Sequence, residues 1–200
     1  MKSPNDRVRI VDVRTLSDDW YLLEKYTFDF QRHDGSWQRL NREAYDHGDG
    51  AAVLLFNREK GTVILTRQFR LPAYINGGEG MLIEVAAGLL EAKDPESRVR
   101  QEAEEETGYR ISHVRKVFEA WMSPGSVTEK LHLFVAEYHP EDRVSRGGGL
   151  KEEGEDLEVL EMPFTEAMQA MNNGTINDGK TIMLLQYAAL NQLMSPSIDQ

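Results

Sequence analysis

The stretch "GLLEAKDPESRVRQEAEEETGY", from Gly88 to Tyr109, decides how the chain is read. It follows an apolar strand and opens a helix near Pro95, a residue favoured in a first helical turn. It closes on Gly108, which suits the left-handed position after a helix end. Val99 and Ala103, four apart, would face a core. Glu102, Glu104, Glu105 and Glu106 place four carboxylates in five positions. Positions i, i+3 and i+4 share a helix face, so Glu102, Glu105 and Glu106 converge while Glu104 points away. A solvated face whose acids are offset by Arg98 and Arg100 accounts for the charge alone. A hard divalent cation, which prefers oxygen ligands and keeps waters for a phosphate-bearing substrate, accounts for the convergence. Magnesium is the natural candidate, with manganese as a substitute.

Upstream of this helix the pattern predicts buried strands at "AAVLLF" and "TVILTRQF", a loop "LPAYINGGEG", and one further strand "MLIEVAAG". Downstream it predicts strands at "VRKVFEAWM" and "KLHLFVAEY", a loop "RGGGLKEEGED" and a last strand "LEVLEMPF". Thr165 is placed to cap a helix "EAMQAMNN" that stops at Gly174, and "KTIMLLQYAALNQLM" has the apolar spacing of a final helix. Strands alternating with helices predict an α/β layered domain. The first segment reads differently: "RVRIVDV", "YLLEKYTFDF" and "WQRLNREAYD", with a turn at "HDGS", predict a small antiparallel sheet. Such a sheet is marginal alone and should pack on the main domain or on a second subunit. Trp20, Trp37 and Tyr45 are the candidate anchors.

Composition narrows the function classes. The 200 residues carry 34 acidic and 23 basic side chains, a net charge of −11, which argues against general binding to a nucleic-acid backbone. There is no cysteine, so disulfides, thiolate nucleophiles and zinc-thiolate sites are excluded. The start "MKSPNDRVRI" lacks the apolar core of a signal peptide, and no apolar run approaches the roughly 20 residues that span a bilayer. The expectation is a cytoplasmic protein with no membrane partner. No Gly-x-Ser-x-Gly elbow or Walker loop is present, and the five histidines show no metal spacing.

The acidic helix also carries a family signature. The Nudix box runs Gly, five residues, Glu, seven residues, Arg-Glu, an aliphatic residue, any residue, Glu-Glu, any residue, Gly and an apolar residue. Glu102, Ala103, Glu105, Glu106, Gly108 and Tyr109 match its second half in order. Its first half departs: Asp94 stands where the box has Glu, the spacer is one residue short, and Gln101 replaces Arg, with Arg100 beside it as a candidate substitute. Together with "MSPGSVTEKLHLFVAEY", "GGGLKEEGEDLEVLEMPF" and "DGKTIMLLQY", the chain resembles the nucleoside-diphosphate-sugar branch of the Nudix hydrolase superfamily over nearly its whole length.

That resemblance implies an α/β/α sandwich with a mixed sheet over residues 47–200 and an N-terminal β appendage over 1–46 that crosses to the other subunit of a homodimer. It implies Mg²⁺-dependent hydrolysis of a nucleotide-sugar pyrophosphate, with GDP-mannose the first expected substrate, giving GMP and mannose 1-phosphate. ADP-ribose, or a broad range of nucleotide sugars, is the alternative within the class, and a non-catalytic sensor of such compounds is the alternative outside it. Metal ligands are implied at the Ala87 carbonyl, Glu102, Glu106 and Glu155, with Glu105 beside them and Glu153 as the candidate base that activates water. Arg42, Arg67, Arg70, Pro124 and Glu129 are the implied substrate-binding residues. Arginine forks suit phosphate oxygens.

Overall fold

The computed structural model describes residues 4–194, apart from the side chains of Pro4, Asn5 and Glu153. By its internal contacts the chain divides into two compact units, Met1–Asp49 with Trp121–Lys130, and Gly50–Ala120 with Leu131–Gln200.

The first unit is a three-stranded antiparallel sheet of β1 (Val8–Asp18), β2 (Leu22–Gln31) and β3 (Trp37–Asp46), in that order. The β2–β3 hairpin runs in unbroken register from Leu22↔Asp46 to Gln31↔Trp37. β1 carries two bulges, between Ile10 and Asp12 and between Thr15 and Ser17, so its apolar residues fall on both faces and all are exposed. The segment Ser123–Thr128 docks on the end of β3: the Tyr45 N–H donates to the Ser126 carbonyl and the Thr128 N–H to the Tyr45 carbonyl.

The second unit holds a seven-stranded mixed sheet. Its spine is β10 (Glu158–Pro163), β5 (Thr62–Phe69), β4 (Gly50–Asn57), β9 (Lys130–Glu137) and β8 (Arg115–Trp121). β4 and β9 are parallel, and β4 is buried along its whole length, as a continuous apolar run requires. Ala51, Val53 and Leu55 form one core with Val99 and Ala103 of α2 (Pro95–Glu102 and the turn that follows it). The alternate residues Ala52, Leu54 and Phe56 face the opposite layer, where α4 (Gly179–Leu190) packs on β4 with Leu184, Leu185 and Ala188 buried. α3 (Phe164–Asn172) lies between β10 and α4. The mixed α/β architecture read from the sequence is therefore present, with helices on both faces of the sheet.

Three local readings need correction, and a fourth residue gains a role. "MLIEVAAG" is two strands, β6 (Met81–Glu84) on β5 and β7 (Ala86–Leu89) on β4, because the Val85 N–H is taken by the Thr181 hydroxyl instead of a strand partner. The loop after β5 contains a short helix, α1 (Leu71–Ile75), started by Pro72 and closed by the Arg70 N–H on the Gly80 carbonyl. Thr165 is not a cap, since α3 begins one residue earlier, after Pro163, with no side-chain cap bond. Asp94, which departs from the box, is the N-cap of α2 and accepts from the Ser97 N–H and hydroxyl.

Asp94→Ala should therefore cost about 1 kcal/mol of stability by loss of the cap, read as a shift in denaturant midpoint, and Asp94→Asn should recover most of it. A collapse of turnover with unchanged stability in Asp94→Ala would instead mean that this carboxylate serves the site.

Candidate active site

The site is built at the seam of β7, the C-terminal end of α2 and the loop before β10. α2 does not finish as an α-helix: Ala103–Thr107 form a π-helical turn, and Gly108 closes it at φ 82°. Such single turns accommodate one residue more than the α-helical period. The result is that Glu102 and Glu106 are both buried, at 3% and 1% exposure, whereas Glu105 keeps a partly exposed side chain. Glu104 is turned away into a two-pronged ion pair with Arg110, both bonds at 2.9 Å.

Glu102 fits only because position 88 has no side chain; a Cβ there would overlap its carboxylate. The carboxylate pairs with Arg98, one turn back and itself buried, whose Nε donates to the Leu89 carbonyl at 2.8 Å and whose Nη1 lies 3.7 Å from Glu105. Arg98 is thus the buried arginine of the site, and the expectation for Arg100 is corrected: its guanidinium pairs with Glu96 along the outer face. Gln101 holds Glu105 by a 2.8 Å amide bond while accepting from Lys93 at 2.9 Å.

Glu106 accepts weakly, at 3.3 Å, from the Ala87 N–H. Its carboxyl is pushed well above the usual glutamate range, first by burial, then by the charges of Glu102 and Glu155, against the opposing pull of Arg70 and of the Ala87 N–H. Glu155 accepts from the Leu150 N–H at 2.8 Å. Glu153 ends a one-turn 3₁₀ segment, Lys151–Glu153, and its side chain lies outside the described residues. Among the described residues no group of three acids or imidazoles stands in a ready-made metal cage, since Glu102 is drawn to Arg98 and Glu155 to the Leu150 amide. The residues nonetheless fit a divalent cation: Glu102 and Glu155 both act on buried Glu106 and the close approach of Glu102 is preserved by a glycine, so a cation there would offset the repulsion that helps raise the Glu106 carboxyl.

Beside this cluster lies a second set of charges, gathered on buried Glu84. Arg70 donates to Glu84 through Nε at 2.9 Å, and Lys180 donates to the other Glu84 oxygen and to Asp178, each at 3.0 Å. Glu84 and Lys180 were given no role by the sequence reading; the available signal was a single acid inside an apolar strand and a single lysine opening an apolar helix. Arg67 is exposed and engaged by Glu158 across the β5–β10 ladder. Arg42 lies exposed on β3, with Nη1 on the Asn41 carbonyl, Pro124 lies in the segment that docks on β3 and Glu129 directly after it, all three within the first unit.

Residues 46–185 match the family model described as the NUDIX domain, and residues 7–45 match the GDP-mannose pyrophosphatase NudK N-terminal domain. The chain is similar to the GDP-mannose pyrophosphatase of Pectobacterium atrosepticum, 58% identical over 95% of this chain and 96% of that one. It is 48% identical to that of Klebsiella pneumoniae, over 96% and 97% of the two chains, and 51% to that of Yersinia enterocolitica, over 94% and 98%. A crystal structure of an ADP compounds hydrolase superposes with a TM-score of 0.71 at 17% identity, covering 94% of this chain and 96% of that one, a likeness of fold.

Two outcomes follow from the geometry. Arg98→Ala leaves buried Glu102 uncompensated and should cost about 3–5 kcal/mol, whereas Arg100→Ala should stay within about 0.5 kcal/mol; equal costs in urea melts would reject the assignment. Because the folded-state pKa of Glu106 lies above its ordinary 4.5, the folded form binds that proton more tightly, and this stabilisation is lost as pH rises through the raised value. The metal-free protein should therefore melt at lower temperature as pH rises above about 4.5, and Glu106→Gln, which keeps the shape without the charge, should lessen that slope.

Proposed function

The chain belongs to the Nudix family of pyrophosphohydrolases, and we propose that it hydrolyses the pyrophosphate bond of nucleoside diphosphate sugars with a divalent cation, GDP-mannose being its preferred substrate. The observation that carries the chemistry is the burial of Glu106 within the fields of Glu102 and Glu155, an arrangement that destabilises the empty site and favours a cation. The substrate rests on the names of relatives about half identical over nearly the entire chain.

In this reading Glu102, Glu106, Glu155 and the Ala87 carbonyl hold magnesium, or manganese in its place. When bound, the ion neutralises pyrophosphate oxygens and lowers the pKa of a coordinated water. Arg70, anchored by Glu84, presents its remaining N–H groups to a phosphate oxygen, and Lys180 holds the other Glu84 oxygen so that this guanidinium does not turn away. Arg67 joins the clamp if substrate displaces Glu158. Glu153 takes the proton of the attacking water, with Glu105 beside it. The water oxygen bonds to phosphorus, the bridging P–O bond breaks, and GMP and mannose 1-phosphate leave as phosphate monoesters, with two protons released when both are dianions.

Arg42, Pro124 and Glu129 contribute to substrate from the N-terminal unit. That unit also supports a homodimer: Val8, Ile10, Val11 and Val13 of β1, with Trp20 at 79% exposure, form more apolar surface than an isolated sheet normally leaves in water.

The test is product formation from GDP-mannose, ADP-ribose and ADP-glucose in parallel, each with Mg²⁺ and with chelator. Metal-dependent turnover led by GDP-mannose is expected; leadership by ADP-ribose would keep the chemistry and overturn the substrate, and tight binding without turnover would mean a sensor. Glu106→Gln should lower turnover at least about 100-fold with little change in secondary structure, and Glu153→Gln should lower kcat with KM and metal requirement unchanged.

A further inference from the structure

We infer that the triglycine segment Gly147–Gly149 is a positioning strap that clamps the loop ligand Glu155 to the carbonyl end of the acidic helix, so that metal affinity is set partly by residues carrying no side chain. The inference rests on the proposed role of Glu155 as a metal ligand and goes beyond it.

The helix end is where the strap attaches. An α-helix leaves its last carbonyls without intrahelical donors, and here the strap supplies them. The Gly148 N–H donates to the Glu106 carbonyl at 2.8 Å and the Gly149 N–H to the Glu105 carbonyl at 3.1 Å, while the Val144 N–H donates to the Gly108 carbonyl at 2.8 Å. The backbone of the very residues whose carboxylates form the cluster is therefore held by the loop. One residue further on, the Leu150 N–H donates to Glu155 Oε2 at 2.8 Å, the Glu155 N–H returns to the Leu150 carbonyl at 3.2 Å, and the Leu157 N–H reaches the Gly148 carbonyl at 3.2 Å. Two hydrogen bonds joined by the short backbone from Gly148 to Leu150 thus connect Glu106 to Glu155.

Glycine is required there for different reasons at each position. All three residues have positive φ, 69°, 107° and 79°. A Cβ on Gly147 would lie 2.5 Å from the Glu106 carbonyl oxygen and 2.6 Å from the Thr107 carbonyl carbon, both backbone atoms that cannot yield without lifting the strap. A Cβ on Gly149 would overlap Leu157 Cδ1, the far end of a flexible side chain, and would also lie 2.5 Å from Glu155 Oε2 and 2.7 Å from its Cβ, so it would press on the carboxylate as well as on Leu157. A Cβ on Gly148 would meet only the Leu157 carbonyl oxygen, at 3.5 Å, an ordinary contact. Backbone strain is common to the three substitutions, whereas displacement of Glu155 belongs to Gly149 alone.

The experiment is Mn²⁺ binding by calorimetry on the full-length protein without substrate, with a melting curve for each variant. Gly148→Ala measures the shared strain. Beyond that reference Gly149→Ala should weaken Mn²⁺ by about tenfold or more, the size of effect seen when support behind a ligand is lost, and it should add no further loss in Glu155→Gln. Equal effects of Gly148→Ala and Gly149→Ala, or a Gly149→Ala loss that persists undiminished in Glu155→Gln, would overturn the strap. If Glu155→Gln itself binds Mn²⁺ as wild type does, the ligand reading fails first. Amide exchange on the unmutated protein gives a check independent of variant folding: added Mn²⁺ should slow exchange at Gly148 and Gly149, and unchanged exchange at both would overturn the inference.

Discussion

The constraint on which the rest depends is the burial of like charges at the end of one helix. Glu102 and Glu106 are almost wholly removed from water, and Glu155 adds a third carboxylate to the same field. Burial and mutual repulsion both favour the neutral acid, so such a cluster persists only where surrounding structure fixes it. Nearly every local departure from regular geometry meets that demand. The break at Val85 turns the chain from β5 to β4 and brings the Ala87 N–H to Glu106. The missing side chain at Gly88 admits Glu102, and buried Arg98 neutralises it. The π turn brings the second glutamate into the cluster and leaves carbonyls for the strap.

Much of this was legible because residue type and spacing report burial. The continuous apolar run of β4, the start of α2 at Pro95 and its closure at Gly108 follow from local chemistry that tertiary packing reinforces. The departures were not legible, and for related reasons. A hydroxyl 96 residues away decides that "MLIEVAAG" is two strands, and nothing within that stretch signals Thr181. The preference for Arg100 over Arg98 came from adjacency in sequence to the box position, yet helix geometry places Arg98, four residues before Glu102, on the buried side. The π turn is invisible to a count in steps of three and four. Glu84 and Lys180, likewise 96 residues apart, meet only through the fold.

Which residues carry the metal chemistry and which choose the substrate separate along the same line. The carboxylates held on one helix are specified by local sequence, so a short motif finds them. Arg42, Pro124 and Glu129, the substrate-side residues that the resemblance implies, belong to a different unit from the acidic helix. A likeness of 58% identity over 95% of the chain therefore bears more on substrate than any motif, and a likeness of fold at 17% identity says nothing about it.

Seen as stabilising contacts, the buried ion pairs make little sense. Removing charges from water costs more than most pairs return, and apolar replacements of the same shape are often at least as stable. Arg98 with Glu102, and Glu84 between Arg70 and Lys180, are better understood as the cost of holding buried carboxylates in fixed positions, where each charge acts more strongly than it would in water. The protein with no ligand bound should accordingly be less stable than its core would allow. Any ligand that binds the folded form alone would return part of that difference in proportion to its affinity.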